Sequence, residues 1–322
     1  MTKNIDRKNL KKISRVIISK NIELDIRIIV DDTAATSAIS LLHLELIKSS
    51  QIDGCSILPN GAGLETFKQG LKSIPDEERK KVSYSVHLDI CEGIPTMNSQ
   101  QNLVRTDKFG NFKYSFAMFF FELFFSTKHE REKKLKYIES EWRHQISYIQ
   151  RYFAGVIEFS GVDSHRHFHT NPYLLKLARK LAQDFGLDLR IPKENFYLTN
   201  FRETFSISFL IGICKLTILN LFLRKEKWDG RFFLGVLHSG NMTASKTISG
   251  ILEILSRRQD GDDVRIDVLF HPGRDIDVIN DISKKLIFRE WYSSFNRDRE
   301  LQQIVILRNF MGKLDINSTG TL

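Results

Sequence analysis

Short apolar runs with extended-chain spacing alternate along this chain with longer stretches whose apolar positions recur at helical spacing. Seven runs read as strands: "LDIRIIVDD", "GCSILPNG", "VSYSVHLDI", "IEFSGVDSH", "LDLRIP", "FFLGVLHSG" and "RIDVLFHPG". Helical patterns fill the gaps. In "TSAISLLHLELIKSS", Ile39, Leu42 and Leu46 fall near a 3.6-residue period and Thr36 is a candidate N-cap. "YIESEWRHQISYIQRYF" places Ile138, Trp142, Ile146, Ile149 and Phe153 on one stripe, and "NPYLLKLARKLAQDFG" opens on Asn-Pro and closes on Gly186. Alternation repeated this often predicts an α/β fold with a mainly parallel sheet, and seven repeats suit a closed barrel as well as an open doubly wound sheet.

Two other apolar stretches have the wrong proportions for a membrane span. "FAMFFFELFF", Phe116 to Phe125, is too short and is interrupted by Glu122. "SISFLIGICKLTILNLFL", Ser206 to Leu223, approaches the roughly 20 residues a span needs but holds Lys215 and Asn220 near its middle. Both are read as buried or half-buried helices, with a lipid-facing surface as the alternative. No repeat and no linker rich in Pro, Gly or Ser divides the chain. The expected organisation is a basic N-terminal arm at 1–23 and a single domain at 24–312. A lid-like excursion is expected at 102–136, and a frayed tail at 313–322.

Composition changes this picture only locally. The formal charge of +9 points to an anionic neighbour, but much of it sits in the first twenty residues, which carry seven Lys/Arg against one Asp. That segment reads as a solvated basic helix or arm, with contact to acidic lipid head groups as the sharper alternative. Its only apolar run, Val16 to Ile18, is too short for a secretory signal, so a cytoplasmic protein is expected. No nucleic-acid-binding module is present, and nucleic acid is not an expected partner. Cys55, Cys91 and Cys214 are odd in number and far apart, as reduced thiols are, and have neither disulfide nor zinc-knuckle spacing.

Chemistry collects where the strands end. The first ends in Asp31-Asp32, the third in His87 with Asp89 beyond it, the fourth in Asp163 and His165, the sixth in His238, and the seventh in His271. Strand packing gives no reason to end in titratable side chains, whereas the carboxyl ends of strands form the reactive mouth of a (β/α) barrel. Asp31-Asp32 alone reads equally well as a helix cap. If both stay in the strand they point to opposite sides, so one ligand can meet both only across a turn. The fourth strand's "DSHRHFH" is stronger: His165, His167 and His169 share one face if the strand persists. One carboxylate with two neutral imidazoles suits a borderline divalent ion and leaves positions open for water and substrate.

These residues resemble the YdjC family, the chitooligosaccharide-deacetylase group of carbohydrate deacetylases. Its N-A-D-D-F-G block is matched by "IVDDTA", its Asn-Gly block by "ILPNGAGLETF", and its G-x-H-L-x-L-x-E-G-x-P block by "VHLDICEGIP". Its D-S-H-x-H-x-H block appears as "DSHRHFH", its C-H-P-G block as "FHPG", and its E-x-x-x-Q-I segment as "EWRHQI". The resemblance implies a barrel-like (β/α) fold of about seven mainly parallel strands, TIM-barrel-like, and a homodimer. It implies one divalent ion, magnesium or zinc, on Asp32, His87 and His165, with Asp31 as general base and His271 as acid. His167, His169, His238, Asn60 and Arg190 are the candidate substrate contacts, structural hydrogen bonding being the alternative for His167 and His169 and a capping role the alternative for His238. Thr33-Ala34 replace the family's Phe-Gly, so the turn after Asp32 lacks its glycine and the pocket wall its aromatic ring.

The function so implied is metal-dependent removal of an N-acetyl group from an amino sugar, carried on an oligosaccharide, a lipid or a nucleotide. The alternatives are hydrolysis of a phosphoester, which the same Asp/His set could serve, and a non-catalytic carbohydrate-binding protein on the same fold.

Overall fold

Each of the seven apolar runs forms a strand in the computed structural model, which describes residues 2–97, 104–108, 110–197, 207–226, 230–273 and 295–318. They are β1 (Glu23–Thr33), β2 (Gly54–Ile57), β3 (Ser83–Leu88), β4 (Phe159–Ser164), β5 (Asp188–Leu189), β6 (Arg231–Leu234) and β7 (Asp263–Phe270). They join one sheet in the order β5-β4-β3-β2-β1-β7-β6. The pairs β2–β3, β3–β4, β4–β5 and β6–β7 run parallel, which requires a crossover between successive strands. Every residue of β2 is buried, as a strand covered on both faces must be. The fold is the expected α/β, barrel-like one.

The chain divides into two compact units, with the cut inside β1. One comprises residues 30–191 and 273–294. It holds the end of β1, β2 to β5, and helices α2 (Ser37–Lys48), α3 (Leu64–Lys72), α4 (Asp76–Lys80), α5 (Phe116–Phe125), α6 (Lys128–Tyr152) and α7 (Pro172–Asp184). The predicted stripes are its core. Ile39, Leu42 and Leu46 of α2 are buried, as are Ile138, Trp142, Ile146 and Ile149 of α6. Four helix starts in this unit are chemically specified, that of α5 by Ser115, whose hydroxyl accepts from Met118 N–H. Thr36 caps α2 through Ile39 N–H, Thr127 and Glu130 form a reciprocal capping box on α6, and Asn171 caps α7 ahead of Pro172.

The other unit comprises residues 1–29, 192–272 and 295–322. It holds α1 (Thr2–Ser19), the start of β1, α8 (Ile207–Phe222), β6, α9 (Ala244–Ser256), β7 and α10 (Phe295–Ser318). The basic arm is therefore a helix for most of its length. α1 packs with α9 and α10, with Ile13 fully buried and Lys11, Lys12 and Arg15 exposed. α10 continues to Ser318, and the last four residues of the expected tail lie outside the described residues. Part of the expected excursion at 102–136 does too. Its described part contains an isolated antiparallel bridge, Thr106 to Phe112, followed by α5 and the start of α6. Among the described residues, no helix is long and apolar enough to cross a membrane.

Candidate metal centre

β1 delivers its carboxylates through a turn. Asp31 is in extended backbone, but Asp32 takes φ +60° and Ala34 φ +68°, both in the left-handed region. The reversal lets neighbouring residues serve different partners, as the pairing of carboxylates at a strand end requires. Asp31 accepts two hydrogen bonds from Arg190, Nη1 to Oδ1 at 2.9 Å and Nη2 to Oδ2 at 2.6 Å. Asp32 turns to the histidines. Its Oδ1 lies 2.8 Å from His165 Nδ1 and 3.4 Å from His87 Nε2. All three side chains are buried.

Parallel register aligns the second group. β3 and β4 pair so that His87 lies beside Asp163, and His87 Nδ1 meets Asp163 Oδ1 in a short contact. Asp163 is itself held by Ser56, whose hydroxyl reaches both carboxylate oxygens at 2.7 and 2.9 Å, and by Arg190 Nη2 at 3.1 Å. On the other side, Glu92 Oε1 lies 3.1 Å from His165 Nε2 and 2.6 Å from Arg166 Nη2. Each imidazole thus has one nitrogen fixed by a carboxylate and the other directed at Asp32. Outer carboxylates orient metal-binding histidines in this way.

Three groups of donors approach closely enough to hold a cation among the described residues: Asp32/His87/His165, Asp31/His87/Asp163 and Cys91/Glu92/His165. Donor chemistry separates them. In the second, both carboxylates are engaged by Arg190, whose positive charge opposes a cation. In the third, the Cys91 thiol donates to Asp89 Oδ1 at 3.1 Å and Glu92 Oε1 is paired with Arg166, so two of its three donors are already engaged. The first is left with a buried His87 Nε2 that makes no hydrogen bond. Such an atom is costly to bury and is satisfied by a Lewis acid. These residues fit a divalent ion.

Charge supports the same fit. Burial alone would lower the pKa of His87, but the nearby carboxylates of Asp31 and Asp163 outweigh it and raise the value to about 9. His165 is likewise raised well above the ordinary range: burial opposes its charge, and Asp32 and Glu92 overcome that opposition. Asp163 is held well below the usual carboxylate range, because Arg190 and His87 outweigh its burial. The carboxylates therefore demand positive charge between them. Protons on His87 and His165 supply it in the metal-free protein, and a cation would replace those protons.

α6 secures the loop that follows β3. Gln145 Oε1 accepts from Asp89 N–H at 2.9 Å, and Gln145 Nε2 donates to Asp89 C=O at 2.7 Å. Glu141, one turn earlier, accepts from the backbone N–H groups of Thr96 and Met97 at 2.7 and 3.0 Å. Asp89 Oδ1 in turn accepts from the N–H groups of Cys91 and Glu92, and its Oδ2 takes a bond from Asn60 at 3.2 Å. This is what the Glu-x-x-x-Gln spacing accomplishes: two buried polar side chains on one helix face hold the strand-end loop in place.

The model of YdjC-like proteins matches residues 25–305, most of the chain. The chain belongs to the YdjC-like family. This YdjC-like chain is also 24% identical over 162 residues to a protein from Brevibacillus brevis named carbohydrate deacetylase, covering 50% of this chain and 57% of that relative. It therefore matches a little over half the length of that curated relative. A solved structure from Enterococcus faecalis V583, described as a candidate cellobiose-phosphate cleavage protein, superposes with a TM-score of 0.51 at 17% identity. The superposition covers 88% of this chain and 95% of the other, a likeness of fold alone.

The site of this YdjC-like chain departs from sequence expectation in instructive ways. Asp31, Asp32, His87 and His165 come together, but the three histidines of "DSHRHFH" do not share a strand face. β4 stops at Ser164, and Arg166 and His167 turn into the left-handed region at φ +53° and +56°. His169 has both ring nitrogens engaged, Nδ1 with Ser164 Oγ at 2.7 Å and Nε2 with Arg190 C=O at 2.8 Å. Burial lowers its pKa to about 4. His167 lies beside it, with ring centroids 6.3 Å apart. Arg190, expected on the substrate, instead clamps Asp31 and Asp163, and Asn60 bonds to Asp89 and to the Glu92 carbonyl.

His238 and His271 belong to the other unit. His238 is buried between aromatic rings, stacked on Phe209 and edge-on to Tyr197, and burial lowers its pKa to about 4. His271 is half-buried, and its backbone N–H donates to Glu300 Oε2 at 2.6 Å. Glu92, Ser56 and the partners supplied by α6 carried no assigned role in the sequence reading. Glu92 stands inside the "EGIP" block and was open to recognition there; Ser56 is one serine in an apolar strand and gave no signal.

Proposed function

We propose that this YdjC-like chain is a metal-dependent hydrolase that removes the N-acetyl group from an N-acetylated amino sugar, releasing acetate and the free amine. Asp32, His87 and His165 would hold the cation, and two imidazoles in the set favour a borderline ion such as zinc over magnesium. When bound, the ion supplies Lewis acidity toward the acetyl carbonyl and lowers the pKa of water. Asp31 takes the proton of the attacking water. The two-point grip of Arg190 fixes the plane of that carboxylate, so its orientation does not depend on substrate. The family resemblance assigns His271 as the acid that would protonate the departing nitrogen, without which the leaving group would be a strongly basic amide anion.

The observation that carries this reading is the convergence of His87 Nε2 and His165 Nδ1 on one oxygen of Asp32, each ring fixed from behind by a carboxylate. The deacetylase name of the Brevibacillus relative supports the choice of bond. The test is acetate release from N-acetylglucosamine oligosaccharides and from lipid-linked and nucleotide-linked N-acetyl sugars, with phosphate release followed in parallel. Binding without acetate release from any of them would defeat the proposal, and phosphate release would transfer it to phosphoesters. Asp32→Asn loses the cation. His271→Ala retains it and loses roughly 10²- to 10⁴-fold in turnover. Cation loss in both variants alike would overturn the assignment of His271.

A further inference from the structure

Two helices present apolar side chains on their outer faces. α5 turns Phe119 and Leu123 inward, and both are buried. Phe121, Phe124 and Phe125 remain 54%, 55% and 78% exposed. Positions 117, 121, 124 and 125 share one face at 3.6 residues per turn, so the three rings form a ridge with Ala117. Ring stacking runs along it, Phe120 on Phe124 at 6.1 Å and Phe121 on Phe125 at 6.3 Å. The acid of this helix, Glu122, is turned to Arg105, Lys134 and Tyr114, so it places no opposing charge on the ridge. The next residues open α6, where Lys128, Lys133 and Lys136 are exposed, along with Glu130 and Glu132.

α8 repeats the arrangement independently in the other unit. Phe209, Leu216, Leu219 and the following Leu223 are buried, whereas Leu210, Ile218 and Leu221 are exposed on one face that also carries Cys214. That face runs into Arg224 and Lys225, both exposed. The outer stripe of α8 is followed by two exposed cations and that of α5 by a mixed run with three exposed Lys and two exposed Glu, in a chain of net charge +9.

We infer that each of these helix faces, taken within its own unit, is a docking face for anionic lipid, the helix lying in the plane of the interface. Large apolar side chains beside Lys and Arg are the composition of interfacial helices: the rings enter the boundary below the head groups and the cations meet the lipid phosphates. The helices are 10 and 16 residues long, and neither is able to span a bilayer, so they lie on it. Charge complementarity selects acidic lipid over a neutral apolar partner, which would gain nothing from the flanking cations. The inference does not depend on the reaction: a chain without deacetylase activity binds in the same way.

The full-length, metal-loaded protein is mixed with vesicles of phosphatidylcholine with or without phosphatidylglycerol and sedimented. It binds the acidic vesicles, releases from them at high salt, and ignores pure phosphatidylcholine. Phe124→Ser with Phe125→Ser weakens binding by about tenfold or more, as does Ile218→Ser with Leu221→Ser. Melting temperature and cation binding stay unchanged, which excludes misfolding as the cause. Three results overturn the inference: no binding to acidic vesicles, equal binding by the parent and both double variants, or a dimer that dissociates in the Phe variant while its vesicle binding persists. The last would assign the α5 face to a second copy of the chain.

Discussion

Asp32 is constrained twice, by its carboxylate and by its backbone. Its φ of +60° is costly for most L-residues, by about 1–2 kcal/mol, but Asn and Asp tolerate it. Asp32→Asn therefore keeps the turn while removing the anionic oxygen. Asp32→Val, with a branched Cβ in the same conformation, loses that tolerance as well. Chemical denaturation is expected to place the valine variant roughly 1–2 kcal/mol below the asparagine variant in metal-free stability. Equal stabilities would mean that the turn relaxes. Ala34 carries the same kind of strain at φ +68°, where the family block has glycine. The requirement for a small residue reappears opposite it: a Cβ on Gly61 would lie 2.1 Å from Ala34 O, so Gly61 has no room for a side chain.

At the scale of elements, α6 acts as a clamp whose value is concentrated in two side chains. Gln145→Ala leaves the buried N–H and C=O of Asp89 without their partner, a loss of about 1–3 kcal/mol. It also frees the loop that places Glu92 behind His165, and a cation titration is expected to show affinity about tenfold lower. Glu139→Ala on the same helix removes exposed ion pairs to Lys180 and Arg143 and shifts stability by well under about 1 kcal/mol. If both variants behaved alike, the clamp would be no more than surface packing. The elements themselves were legible: all seven strands and the stripes of α2 and α6 follow from apolar spacing, and the ends of α7 from Asn171-Pro172 and Gly186. The shared face of the three histidines was conditional on the strand persisting, because alternate spacing implies a shared face only while extended backbone continues. "HRHFHT" has no glycine to announce the left-handed pair at Arg166 and His167, and the change of conformation was hidden in a pattern that looked like a strand. The carboxylates behind the imidazoles were less legible again, since contacts across parallel strands and loops leave no periodic trace.

For the molecule as a whole, several buried groups make stability fall as the medium becomes alkaline. His87 sits at about 9 in the fold against an ordinary 6.5. Its contribution is complete below 6.5 and is lost as pH rises through 9. Glu194 behaves similarly. Burial raises it from 4.5 to about 8, despite hydrogen bonds from the N–H groups of Gly235, Val236 and Leu237, and its contribution is lost as pH rises through 8. His169 and His238, lowered to about 4, act in the opposite sense and weaken the fold only as pH falls below 6.5. The melting temperature of chelator-treated protein is thus expected to fall between pH 6.5 and 9. On the proposed metal binding, a divalent ion would take the place of the His87 proton, so the gain in melting temperature on adding it is expected to grow across the same window. A flat or rising curve in chelator would contradict the arrangement of charges at the site. Of the three thiols, Cys55 and Cys91 are buried and raised far above their ordinary range, whereas Cys214 stands exposed on the outer stripe of α8. A maleimide dye should therefore label the native chain at one place without any engineered cysteine, giving a polarity-sensitive beacon on the very surface whose surroundings are in question.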